Sequence, residues 1–194
     1  MTSDRLKVLL EEVSGCRLCE GSLPLGPRPV LSAARSARLL IVGQAPGTRV
    51  HETGIPWNDP SGDRLRNWLQ MDRETFYDQS RIAIVPMGFC YPGRGKGGDL
   101  PPRPECAETW HARLLAELPN IQLTLLIGQY AQRYYLPRWY GSITENVRHF
   151  ADALPFGFFP LPHPSPRNTL WLKQRPWFEE LVVPALRTQI HDIL

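Results

Sequence analysis

No stretch of this sequence approaches the roughly 20 consecutive apolar residues that a helix needs to cross a bilayer. The first 13 residues are polar, read as an amphipathic helix, and lack the apolar core of a secretory signal. Both absences point to an intracellular protein without a membrane partner. Cysteine is scarce, with four in 194 residues, and in a reducing compartment those four are not expected to form structural disulfides. The phosphate-binding pattern G-x4-G-K-[ST] is missing, which counts against a nucleotide hydrolase of that kind. Internal repeats, low-complexity tracts and interdomain linkers are also missing. One domain over residues 1–194 is therefore expected, and nothing demands more than a monomer.

What is present is ordinary in bulk: 42% hydrophobic and 21% charged residues, enough for a core without disulfide staples. The net charge of +3 suits a polyanionic partner without requiring one. Local placement says more. Arg94 and Lys96 stand in a Gly/Pro-rich stretch, and Arg167 and Lys173 flank another; solvated surface charge explains either group equally well.

Four segments read as buried strands: Ala37–Val42, Arg81–Met87, Gln122–Ile127 and Gly157–Leu161. Their mostly unbroken aliphatic runs fit parallel strands covered on both faces. Helical patterns lie between them. Ser61 is placed to cap one carrying Leu65, Trp68 and Leu69, and Pro104 opens another with Cys106, Trp110, Leu114 and Leu118 on one face. A third starts near Gln129, and a last runs from about Lys173 toward Ile190 with a kink at Pro184. Alternating strands and helices predict a three-layer α/β/α fold around a four-stranded parallel sheet. Ligands of such sheets bind beyond the carboxyl ends of the strands. Three Gly/Pro-rich loops leave strands there, at 43–47, 88–102 and 162–168, and are expected to converge on one crevice.

The four cysteines are Cys16, Cys19, Cys90 and Cys106. A C-x2-C pair with two distant thiols is enough to close one four-thiolate site, for Zn²⁺ or an iron–sulfur cluster. The alternative is four unrelated thiols, Cys90 and Cys106 being core packing.

The convergent loops carry further candidates. Gly43-Gln44-Ala45-Pro46-Gly47 lets backbone approach a ligand closely, or is an ordinary strand-to-helix turn. Trp57, Asn58 and Asp59 put an aromatic, an amide and a carboxylate side by side. A base swung out of DNA needs a flat surface and a group to hold water; equally, Asp59 is a helix cap and Trp57 a core aromatic. His163 opens the stiff His163-Pro164-Ser165-Pro166-Arg167-Asn168 segment directly after the last strand. Catalytic groups of α/β proteins sit there, although a single histidine is often only a hydrogen-bonded structural residue.

Together these segments resemble the uracil-DNA glycosylase superfamily. The 43–47 loop looks like its water-side motif and the HPSPRN segment like its minor-groove loop, in the family order. The cysteine spacing resembles the iron–sulfur branches, families 4 and 5, which implies a [4Fe–4S] cluster at the four cysteines in preference to zinc. The resemblance implies hydrolysis of the bond between deoxyribose and uracil or another deaminated base in DNA. It implies Asp59 as the water-positioning carboxylate with Gln44 second, since family 4 has a carboxylate at Gln44. His163 would stabilise the leaving base. Trp57 would stack on it, and the backbone of Gly43, Gln44 and Ala45 would bind it. Met87 replaces the family-4 asparagine that reads uracil, with Asn58 as a substitute reader. Arg94, Lys96, Ser165, Arg167 and Asn168 would contact DNA, Arg167 standing where relatives place an intercalating leucine. The substitutions at Gln44 and Met87 also fit an alternative, a DNA-binding member with little or no glycosylase activity.

Overall fold

The computed structural model describes residues 3–194. Met1 and Thr2, where the N-terminal helix was expected to begin, lie outside the described residues. The elements run α1 (Ser3–Ser14), β1 (Leu39–Val42), α2 (Thr48–Thr53), α3 (Pro60–Leu69), α4 (Arg73–Tyr77) and β2 (Ile82–Ile84). A two-stranded hairpin follows, β3 (Arg94–Gly95) and β4 (Gly98–Asp99). Then come α5 (Pro104–Cys106), α6 (Ala112–Ala116), β5 (Leu123–Ile127), α7 (Gln129–Tyr135), α8 (Ile143–Arg148), α9 (Phe150–Ala153), β6 (Phe158–Leu161), α10 (Thr169–Lys173) and α11 (Val183–Ile193).

The main sheet has the order β2-β1-β5-β6, and every neighbour pair is parallel. Successive side chains of a strand point to opposite faces, and the two faces bury different residues. Leu39, Ile41, Leu123, Leu125 and Phe159 pack with Trp68, Phe178 and Leu186 from α3, the turn before α11, and α11. Leu40, Val42, Ala83, Val85 and Leu126 pack with Leu6, Val13, Trp110 and Leu114 from α1 and the α5–α6 region. Each strand is thus covered on both sides, which is why its sequence reads as an unbroken aliphatic run. The four expected strands are all present, each starting one or two residues later, and the second also ending at Ile84 instead of Met87.

Three details differ from expectation. The α3 cap is Asp59, whose Oδ1 accepts from Gly62 N at 2.8 Å, and not Ser61. Pro60 takes the first helical position, which moves the helix start two residues upstream. The expected helix from Lys173 to Ile190 starts late. A separate short helix, α10, ends at Lys173, and Pro176 disfavours helical backbone at the residue before it. Helix resumes through a π turn, Phe178–Val182, that runs directly into α11 and its Pro184. Proline has no N–H to give the preceding turn, and that wider turn stands in place of a simple kink. The 88–102 loop also contains the β3–β4 hairpin, unread because its strands are two residues each and rich in glycine.

Phe159 is completely buried at the centre of β6 and stacks on Phe150 at 4.9 Å between ring centroids. Phe159→Ala should lower unfolding free energy by about 3–5 kcal/mol, read by urea denaturation; a loss below about 1 kcal/mol would show that this face of the sheet is not close-packed.

Candidate active site

The carboxyl ends of β1, β2 and β6 open into one crevice. Residues 43–47 form one wall. Trp57 and Asp59 form another, His163, Ser165, Arg167 and Asn168 a third, and Gly97, Gly98 and Asp99 of the hairpin overhang it. The three loops read from the sequence do converge.

Trp57 has a left-handed backbone, φ 57°. For a bulky residue this conformation costs on the order of 1–3 kcal/mol and has to be held by its surroundings. Two glycines make room for it. A Cβ on Gly43 would lie 2.7 Å from the Trp57 ring, and one on Gly62 would lie 1.7 Å from the Trp57 carbonyl oxygen. The buried Arg66 donates to that same carbonyl through Nη1 at 3.3 Å. The indole then lies beside His163, with ring centroids 5.7 Å apart and planes tilted by 34°.

His163 keeps some exposure to the crevice but is crowded elsewhere. That loss of water holds its imidazole below the usual histidine range, against the opposing pull of Asp59. A neutral ring is favoured. Ser165 N donates to His163 Nδ1 at 3.2 Å, which assigns the ring proton to Nε2. The loop itself is stapled down. Arg64 of α3 donates to Ser165 O at 2.9 Å and to Thr169 Oγ1 at 3.0 Å, and Asn168 Nδ2 donates to His163 O at 2.7 Å. The helix capped by Asp59 therefore also fixes the loop that carries His163.

The other candidates separate. The Gln44 amide donates to Leu100 O at 3.0 Å, so its nitrogen is committed to the strand-hairpin connection. Asn58 is not among the residues lining the crevice, and its side-chain oxygen accepts from Arg73 at 3.2 Å. Met87 is buried in the core on the α1 side of the sheet and touches the site only through its backbone, Met87 N donating to Gly43 O at 2.9 Å. Arg94 and Lys96 are exposed on the hairpin, outside the lining. Arg167 Nη1 donates to Gly97 O at 2.7 Å, tying the HPSPRN loop to that hairpin. Asp99 was not singled out from sequence; the only signal for it is its position in the Gly-rich 93–99 stretch.

All four cysteines line a second, small cavity, together with Gly88 and Arg103. Burial, and secondarily the other three thiols, push the Cys106 thiol up to about 12. Burial also raises Cys19 and Cys90. Among the described residues, no three His, Cys, Asp or Glu side chains are gathered into a group ready to hold a metal ion.

A family model described as Uracil DNA glycosylase superfamily matches residues 30–187. The chain belongs to this superfamily. The match takes in the whole parallel sheet and every crevice loop, and it begins after Cys16 and Cys19. The four-stranded parallel sheet between helices agrees with the three-layer α/β/α fold expected from the alternation of strands and helices.

Gly43→Ala should force the Trp57 ring out of its seat and cost about 1–3 kcal/mol of stability, the usual range for overpacking. Denaturant titration followed by tryptophan fluorescence reads this. Unchanged stability would show that the indole moves aside freely.

Proposed function

We propose that this superfamily member is a DNA-repair glycosylase that hydrolyses the N-glycosidic bond of uracil or another deaminated base in DNA. The observation that carries the reading is His163: a ring kept neutral by desolvation, with Nδ1 occupied by Ser165 N and the proton left on Nε2, in a crevice that also holds Asp59. A neutral N–H donor suits a departing base, whose oxygen gains negative charge as the bond breaks.

The nucleotide leaves the helix at a cost of a few kcal/mol, least for a mispaired base. Trp57 offers the flat surface against which the base lies. As the C1′–N bond breaks, its electron pair departs with the base and the sugar becomes cationic. His163 Nε2–H hydrogen-bonds the base oxygen through this step. Asp59, with Oδ1 already accepting from Gly62 N, uses its remaining oxygen to orient water and to favour the cation. Water oxygen bonds to C1′, its released proton passes through the carboxylate to solvent, and the base anion takes a proton in turn. Arg167 and Asn168 lie at the crevice for phosphate contact, with Arg94 and Lys96 on the hairpin beside it.

We propose a [4Fe–4S] cluster at the cysteine cavity. The donor set is four sulfurs, which suits such a cluster or zinc, and the resemblance of the cysteine spacing to the iron–sulfur branches favours the cluster. When bound, the cluster would serve as a structural cross-link. Around it, the Arg28 backbone near Cys90 and the Arg103 side chain near Cys19 favour the thiolate forms against the effect of burial.

Two measurements test this reading. His163→Ala should slow single-turnover release of the base by roughly 10²–10³-fold, while affinity for DNA carrying a non-cleavable analogue changes little. A folded variant with wild-type release would remove His163 from the reaction. Anaerobically purified protein should be brown and hold about four iron and four sulfide per chain, lost together in Cys106→Ser. One zinc per chain, or iron retained in that variant, would contradict the cluster.

A further inference from the structure

Asp59 is not the only carboxylate at the crevice. Asp99, the last residue of β4, lies on the side facing residues 43–47, and a Cβ on Gly47 would stand 3.5 Å from Asp99 Oδ2. Its position is fixed from two directions. Gln44 Nε2 donates to the carbonyl of the next residue, Leu100, and Arg167 Nη1 donates to the carbonyl of Gly97. Both anchors grip backbone and leave the Asp99 carboxylate alone. Among the hydrogen bonds and ion pairs of the described residues, none uses that carboxylate. Loss of water raises its carboxyl above the usual aspartate range; Asp59 pushes the same way, and Arg167 and Arg94 pull against it.

A carboxylate held over a crevice meant for DNA repels phosphate, so it is a liability for binding alone. It becomes favourable when positive charge appears there. In base excision that charge is the deoxyribose cation, present only while the bond breaks, and an interaction made only then accelerates the step.

We propose that Asp99 is a second catalytic carboxylate, flanking the cationic sugar together with Asp59; this rests on the glycosylase reading. The group acts by charge and transfers no proton. Its delivery on a hairpin gripped by both Gln44 and Arg167 gives those two residues a positioning role.

The test compares DNA carrying a pyrrolidine abasic site, which mimics the sugar cation, with DNA carrying a neutral tetrahydrofuran abasic site. Wild-type protein should prefer the cationic mimic, and Asp99→Asn should cut that preference roughly tenfold, with affinity for the neutral one unchanged or modestly raised. Single-turnover base release by the same variant should fall roughly 10–10²-fold. Asp59→Asn serves as the comparison, and the double variant should lose more than either single change. An undiminished cationic preference in Asp99→Asn overturns the proposal. So does an equal loss toward both mimics, which would mean a displaced hairpin, or a change of base preference with the cationic preference intact. Absence of base release by wild type would refute the glycosylase reading alone, because the mimic comparison reads Asp99 without turnover.

Discussion

Everything at this site depends on how Trp57 is seated. Its left-handed backbone is unfavourable on its own, and three surroundings hold it: the bare face of Gly43, the bare face of Gly62, and the Arg66 guanidinium on its carbonyl. Gly43 follows β1 directly, and Gly62 lies in the first turn of α3, so the seat exists only when strand and helix are docked. The same docking presents Asp59 at the start of α3 and, through Arg64, clamps the loop that carries His163. One packing arrangement thus sets the aromatic surface, the carboxylate and the imidazole together. Structure on which several groups depend at once is the kind of preorganisation that electrostatic catalysis needs.

The cysteine cavity is joined to this arrangement by backbone. Gly88 lines that cavity and donates its N–H to Gln44 O at 2.9 Å, and the neighbouring Met87 N donates to Gly43 O. A cross-link at the four cysteines would therefore steady the wall of the crevice formed by residues 43–47, without any group of the centre entering it. His111 supports the same connection, hydrogen-bonding Pro86 O at 2.9 Å and stacking on Phe89.

Features that depend on local chemistry were legible in the sequence. The four strands announced themselves as aliphatic runs because both faces of the sheet are buried, and the convergent loops followed from parallel topology alone. The two readings of Asp59 turned out to be compatible, since one oxygen caps α3 while the residue still lines the crevice; the same holds for Trp57, which packs on the core and faces the site. Features that depend on tertiary context were not legible. Whether Asn58 or Met87 reaches the crevice is decided by backbone direction, which composition does not encode. Asp99 comes to the crevice only because two distant side chains, Gln44 and Arg167, capture the hairpin. The late start of the last helix and its π turn needed the combined effect of Pro176 and Pro184, where a single proline suggests only a kink.

The central claim is that this crevice excises a base. Duplex and single-stranded oligonucleotides carrying one uracil, hypoxanthine or xanthine, incubated with excess protein and then cleaved at abasic sites with alkali, test it most directly. Strand cleavage at the lesion is expected for at least one of these bases and none at the matching undamaged base. Intact strands for all three, from folded protein that binds the same DNA, would contradict it and leave a DNA-binding member of the superfamily without glycosylase activity.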